Sequence, residues 1–86
     1  MQEKVFDLFE YLRERAGCEF INDLPKTAKI NPRLIIHAIA SIHPNDFLLR
    51  AWNDALNYLV QAPAQETAEE AYALLIFALS AVDAVR

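Results

Sequence analysis

Gly17 is the only glycine in 86 residues. A chain with so little access to left-handed backbone has few places for the tight turns that sheets require. With 55% of its residues hydrophobic and 23% charged, the composition suits helices instead. The expected fold is all-α: a single domain over residues 1–86, built as a compact bundle of four main helices plus one short helix or turn. A domain of this size hides only about 60–65% of the surface its unfolded chain exposes, so its stability margin is expected to be modest.

The periodicity supports this reading segment by segment. Over residues 2–16, Val5, Leu8, Phe9, Leu12 and Ala16 fall on one stripe and Glu3, Asp7, Glu10 and Glu14 fall off it, which is an amphipathic helix. Gly17 is placed to stop it as a left-handed cap. Residues 18–30 contain Pro25, which is compatible with a helix only in its first turn, so a short helix or turn is expected there. Asn31 and Pro32 read as an N-cap and a first-turn proline opening a helix to about Ile42. On that helix Arg33, His37 and Ser41 form one narrow polar stripe. Pro44 breaks the chain again, and His43 and Asn45 are both open as the cap of the helix that follows. A surface helix is expected from Asp46 to Gln61, with Leu48, Leu49, Trp52, Ala55, Leu56 and Leu59 inward and Arg50, Asn53, Asp54, Asn57 and Gln61 outward. Residues 62–66 read as a linker. Thr67 with Glu70 three residues later matches a capping box for a last helix to the chain end. Its exposed strip is expected to be Glu69, Ala73, Ile76, Ser80 and Asp83, with Leu75 and Leu79 buried opposite.

Charge and cysteine usage narrow the function classes. The net charge of −4 argues against a surface that attracts nucleic acid or anionic lipid everywhere. Cys18 is the single cysteine, so neither an internal disulfide nor a zinc site with two thiolates is expected. The N-terminal MQEKVFDLFEYLRER lacks the apolar core of a signal peptide. No uncharged run exceeds twelve residues, Ala71 to Val82 being one, against roughly 20 for a membrane span. A soluble, cytoplasmic protein is expected. His37 and His43 are not at the i, i+4 spacing of a helical metal pair, and together with Cys18 and Asp46 they are read as ordinary surface and boundary residues. No phosphate-binding glycine loop can be drawn and no nucleophile has an orienting partner, so neither enzyme activity, a metal nor a cofactor is expected. Tyr11, Trp52, Tyr58 and Tyr72 sit at core or boundary spacing.

Residues 23–39, DLPKTAKINPRLIIHAI, resemble the helix-turn-helix of bacterial repressors such as the lactose-repressor family. Asp23, Leu24, Ala28, Ile30, Asn31, Pro32, Ile35 and Ala38 stand where that motif's residues are expected. The resemblance implies a DNA-binding regulator with contacts from Lys26, Lys29, Arg33 and His37. Charge is segregated in the same sense: from Leu24 to Asn45 there are three basic residues and no acidic one. Against that, Pro25 shortens the first helix, Lys29 stands where a tight turn prefers glycine, and the base-reading positions carry Leu34 and Ile36 rather than hydrogen-bonding side chains. The leading expectation is therefore a non-enzymatic interaction or regulatory module that binds a protein partner and itself. Leu34, Ile36, Ala40, Ala73 and Ile76 offer more apolar surface than 86 residues readily hide, and a homodimer is the commonest way to cover such a surface.

Overall fold

The computed structural model describes residues 4–84, with side chains from Leu8 onward. The expected helix start at residue 2 with Glu3, the facing of Val5 and Asp7, and the run of the last helix into residues 85–86 lie outside the described residues. Five helices form an all-α bundle in one globular unit: α1 (Lys4–Ala16), α2 (Leu24–Ile30), α3 (Pro32–Ala40), α4 (Leu49–Ala55) and α5 (Ala68–Ala84). Short 3-10 turns occupy Ile21–Asp23 and Pro44–Asp46, and a π turn, Leu56–Val60, continues α4. The short element expected between residues 18 and 30 is α2, which tolerates Pro25 because the proline lies in its first turn.

Helix α1 ends as expected. Gly17 has φ +75°, its N–H donates to Glu14 O at 3.2 Å, and Cys18 N–H reaches back to Arg13 O at 2.9 Å, the paired bonds of a Schellman cap. Asn31 holds the position before α3, but its side chain makes no capping bond. Pro32 behind it is buried and needs no N–H partner.

The start of α4 differs from the sequence expectation. Asp46 closes the 3-10 turn, its Oδ2 accepting from His43 N–H at 2.9 Å. Phe47 and Leu48 are then extended, and helix begins only at Leu49. Leu48, expected to face inward, is 56% exposed because it sits outside the helix. Asn53, expected to face outward, is half-buried because the linker folds over it. Its Nδ2 donates to Gln65 O at 3.0 Å, and its Oδ1 accepts from Gln65 N–H at 2.8 Å. One side-chain amide thus pins residues 62–66 to α4. The π turn lets both Leu56 and Leu59 bury while Asn57 stays outside, and Gln61 closes it in the left-handed region at φ +53°. Thr67 caps α5 as expected, its Oγ1 accepting from Glu70 N–H at 3.1 Å.

Helix α3 is the hub. It runs antiparallel to α5, since Arg33 at its start bonds Asp83 near the end of α5, while Tyr72 near the start of α5 donates to Ile39 O at 3.2 Å. Tyr11 of α1 donates to Ala38 O at 2.9 Å. Leu8, Leu12, Leu24, Ile35, Ile39, Trp52, Leu56, Leu75 and Leu79 are fully buried around it. Trp52 donates to Pro44 O at 2.7 Å and packs edge-on against Phe47 and Tyr72.

Two stability outcomes follow from this packing. Leu79→Ala is expected to cost about 2–5 kcal/mol, seen in thermal unfolding as a drop of roughly 4–8 °C per kcal/mol lost; an unchanged midpoint would show that Leu79 is not core. Gln61→Gly relieves a side chain held in the left-handed region and is expected to stabilise by about 0.5–1 kcal/mol, a rise that urea titration would detect as a higher midpoint at unchanged slope.

Candidate functional site

The outer face of α5 carries a largely apolar strip that keeps Glu69, Ala73 and Ser80 of the one expected and has Phe77 and Ala84 in place of Ile76 and Asp83. Ala73, Phe77, Ser80, Ala81 and Ala84 are exposed, and Phe77 at 70% is the most open large apolar side chain among the described residues. Ile76, expected at the centre of the strip, is half-buried against the core. Asp83, expected in it, is half-buried and paired with Arg33, Nε to Oδ2 at 3.2 Å. Pairing with α3 rotates the helix so that the 73–77–81–84 line looks outward, and only Glu69 and Glu70 add exposed charge, at its first turn. Phe77 was readable from its i, i+4 spacing to Ala73 and Ala81. It escaped because almost every position of α5 is apolar, so periodicity gives little sense of which way the helix is turned.

On α3, Leu34 and Ala40 are exposed as expected, and Ile36 is half-buried against the core. Of the self-association residues expected from sequence, Leu34, Ala40 and Ala73 are therefore open to solvent, and Ile36 and Ile76 are only partly so.

The four candidate nucleic-acid contacts separate into two pairs. Arg33 and His37 line an open pocket of about 370 Å³ with Leu34, Ala38 and Ser41 of the same helix region and with Arg15 from α1. Lys26 and Lys29 are exposed on α2 and do not line it. Lys29 lies within α2, and Asn31 alone separates α2 from α3. Arg15 joins the pocket through tertiary packing alone, so no local pattern in the sequence points to it.

Local bonds hold these basic side chains. Arg13 takes both acidic neighbours on α1, at 2.9 Å to Glu10 and 3.5 Å to Glu14. Among the described residues no carboxylate pairs with Arg15, whose guanidinium lies 5.3 Å from the centre of the Tyr11 ring. Ser41 Oγ donates to His37 O at 3.2 Å.

The remaining candidates do not converge. Cys18 is half-buried with its Sγ 3.2 Å from Thr27 Oγ1. His43 is exposed at the cap of the Pro44–Asp46 turn, away from the His37 pocket lining. Among the described residues no three His, Cys, Asp or Glu side chains are grouped to hold a metal ion, and no helix is long and apolar enough to cross a membrane. Comparisons of the chain with protein-family models, with curated proteins and with solved structures each return no match.

Proposed function

We propose that this chain is a non-enzymatic helical interaction module, cytoplasmic, that associates with a second copy of itself and presents the pair to a protein partner. The observation that carries this reading is Phe77, a phenyl ring 70% exposed in the middle of a helix face otherwise made of alanines and one serine. Burying such a ring is worth about 1.5–3 kcal/mol. The alanines on either side let a second helix approach closely enough to cover it. From Ala73 to Ala84 the strip spans roughly 16 Å at 1.5 Å per residue. In a two-fold contact the strip meets its own copy, with Phe77 of each chain packed on Ala73 and Ala81 of the other. Leu34 and Ala40 on α3 are further exposed apolar residues. The free thiol of Cys18 suits a reducing compartment.

Sedimentation equilibrium at micromolar concentration tests the association. A mass of two chains is expected for the native protein and of one chain for Phe77→Glu, with the melting midpoint of the diluted variant little changed because the site is on the surface. A single-chain mass that does not move on tenfold concentration removes the dimer. A dimer that survives Phe77→Glu moves the contact to another face.

DNA binding stands second. It is favoured by the exposure of Lys26, Lys29, Arg33 and His37 in a stretch with no acidic residue, and weakened by Leu34 on the open face of α3. Three lysines and arginines there are few beside the 6–10 phosphate contacts of many specific binders. Selection from a random duplex library at about physiological salt is expected to return no enriched sequence. A recovered site bound at about 10⁻⁸ M or tighter would place this reading first.

A further inference from the structure

The pocket between α1 and α3 has a chemistry that self-association leaves unused. Its polar lining is two guanidinium groups, an imidazole and a hydroxyl, from Arg15, Arg33, His37 and Ser41, and its apolar lining is Leu34 and Ala38. Among the described residues no carboxylate lines it. The stripe Arg33, His37 and Ser41 repeats every four residues, which stacks the three along one side of α3, and Arg15 faces them from the last turn of α1.

The acidic groups nearby are already engaged. Glu10 and Glu14 are drawn to Arg13. Asp83 bonds the Nε of Arg33 at 3.2 Å, and no hydrogen bond from a described residue takes the Nη atoms of that guanidinium. Arg15 is steadied by the Tyr11 ring rather than neutralised. Both arginines thus keep donors to spare, an arrangement that suits an anion with several acceptor oxygens. A planar carboxylate is satisfied by one guanidinium fork. Donors converging from two helices fit the three terminal oxygens of a tetrahedral group better. A volume of about 370 Å³ lies at the lower end of small-ligand clefts, roughly 300–1,000 Å³, which leaves room for a phosphate and a small organic body against Leu34 and Ala38. The site is one compact pocket rather than a track, because Lys26 and Lys29 stand outside it.

We propose that this pocket binds a phosphate monoester of a small molecule, with the phosphate on Arg15, Arg33 and His37 and the organic part on Leu34 and Ala38. Asp83, which shares Arg33 with the ligand, acts against binding.

Titration of the full chain in phosphate-free, low-salt buffer, followed by amide signals in proton–nitrogen spectra, tests this with three probes: inorganic phosphate, phenyl phosphate and benzoate. Phenyl phosphate is expected to shift the signals of Arg15, Leu34, His37 and Ala38 at the lowest concentration, inorganic phosphate to shift the same signals less readily, and benzoate least. Arg15→Gln and Arg33→Gln should each weaken phenyl phosphate about tenfold or more, the scale of losing a hydrogen bond to a charged group. Asp83→Asn removes the same ion pair as Arg33→Gln but keeps the cation. It should bind a few-fold more tightly, whereas a purely structural role for the pair predicts that it binds as poorly as Arg33→Gln. Absence of shifts at these residues with either phosphate probe, native affinity in both arginine variants, benzoate equal to phenyl phosphate, or weakened binding in Asp83→Asn would each overturn the proposal.

Discussion

Three consecutive carbonyls at the end of α3 hold the bundle together. Those of His37, Ala38 and Ile39 accept hydroxyl protons from Ser41, Tyr11 and Tyr72. A helix leaves its last four carbonyls without intrahelical partners, and burying them unsatisfied would cost about 1–3 kcal/mol each. Here backbone N–H groups of Ser41 and Ile42 already reach Ala38 O and Ile39 O, at 3.3 and 3.1 Å, and the Tyr11 and Tyr72 hydroxyls add a second bond to each of these two carbonyls, so the end of α3 also fixes where α1 and α5 lie against it. The rings carrying those hydroxyls continue the tie: Tyr11 packs against Phe47, Phe47 against Trp52 and Trp52 against Tyr72, with centroids 5.3–6.4 Å apart. Each such contact adds about 0.5–1.5 kcal/mol beyond the area it buries. Among the described residues no buried side-chain nitrogen or oxygen lacks a partner, which is the condition under which polar groups this deep are tolerated.

The same arrangement gives α3 two unlike sides. One is Ile35, Ala38 and Ile39 against the core; the other is Arg33, Leu34, His37 and Ser41 at the surface. Because α5 is antiparallel to α3, the acidic end of the last helix, Asp83, arrives beside Arg33. An exposed ion pair of this kind contributes little to stability, about 0–1 kcal/mol, so its main consequence is to orient the guanidinium. On α1, Glu10 and Glu14 pair with Arg13, and among the described residues neither pairs with Arg15. The charge segregation visible in the chain becomes, in three dimensions, a local basic pocket on a protein of net negative charge.

How much of this was legible depended on what kind of signal each residue gives. The stop at Gly17, the cap at Thr67 and the burial of Leu75 and Leu79 follow from local rules, and they stand in the structure as expected. The start of α4 is not set by local rules, because His43 and Asn45 both resemble caps after the break at Pro44, whereas Asp46 closes a turn on His43 and helix begins only at Leu49. Asn53 looked like a surface residue because nothing local says that the linker returns to it. The turn of α5 about its own axis was the largest gap. With Ala, Leu, Ile and Phe on nearly every side, the apolar pattern cannot distinguish Ile76 from Phe77, and packing against α3 makes the choice. Arg15 was illegible for a different reason: its site partners lie on another helix.

An 86-residue chain that is 55% hydrophobic meets a geometric limit that bears on both surfaces. A small globule has too little interior for that much apolar side chain, so some of it must remain outside, and where it is left is informative. Scattered exposed apolar residues such as Phe20, Ile30 and Leu48 lie at turns and helix ends, where the backbone dictates direction and no special account is needed. Phe77 does not share that excuse. It sits mid-helix, four residues from both Ala73 and Ala81, where a charged residue would have fitted the strip without disturbing any contact of the core. A regular helix interior that leaves a phenyl ring outward, flanked only by residues small enough to admit a neighbour, has the form of half an interface.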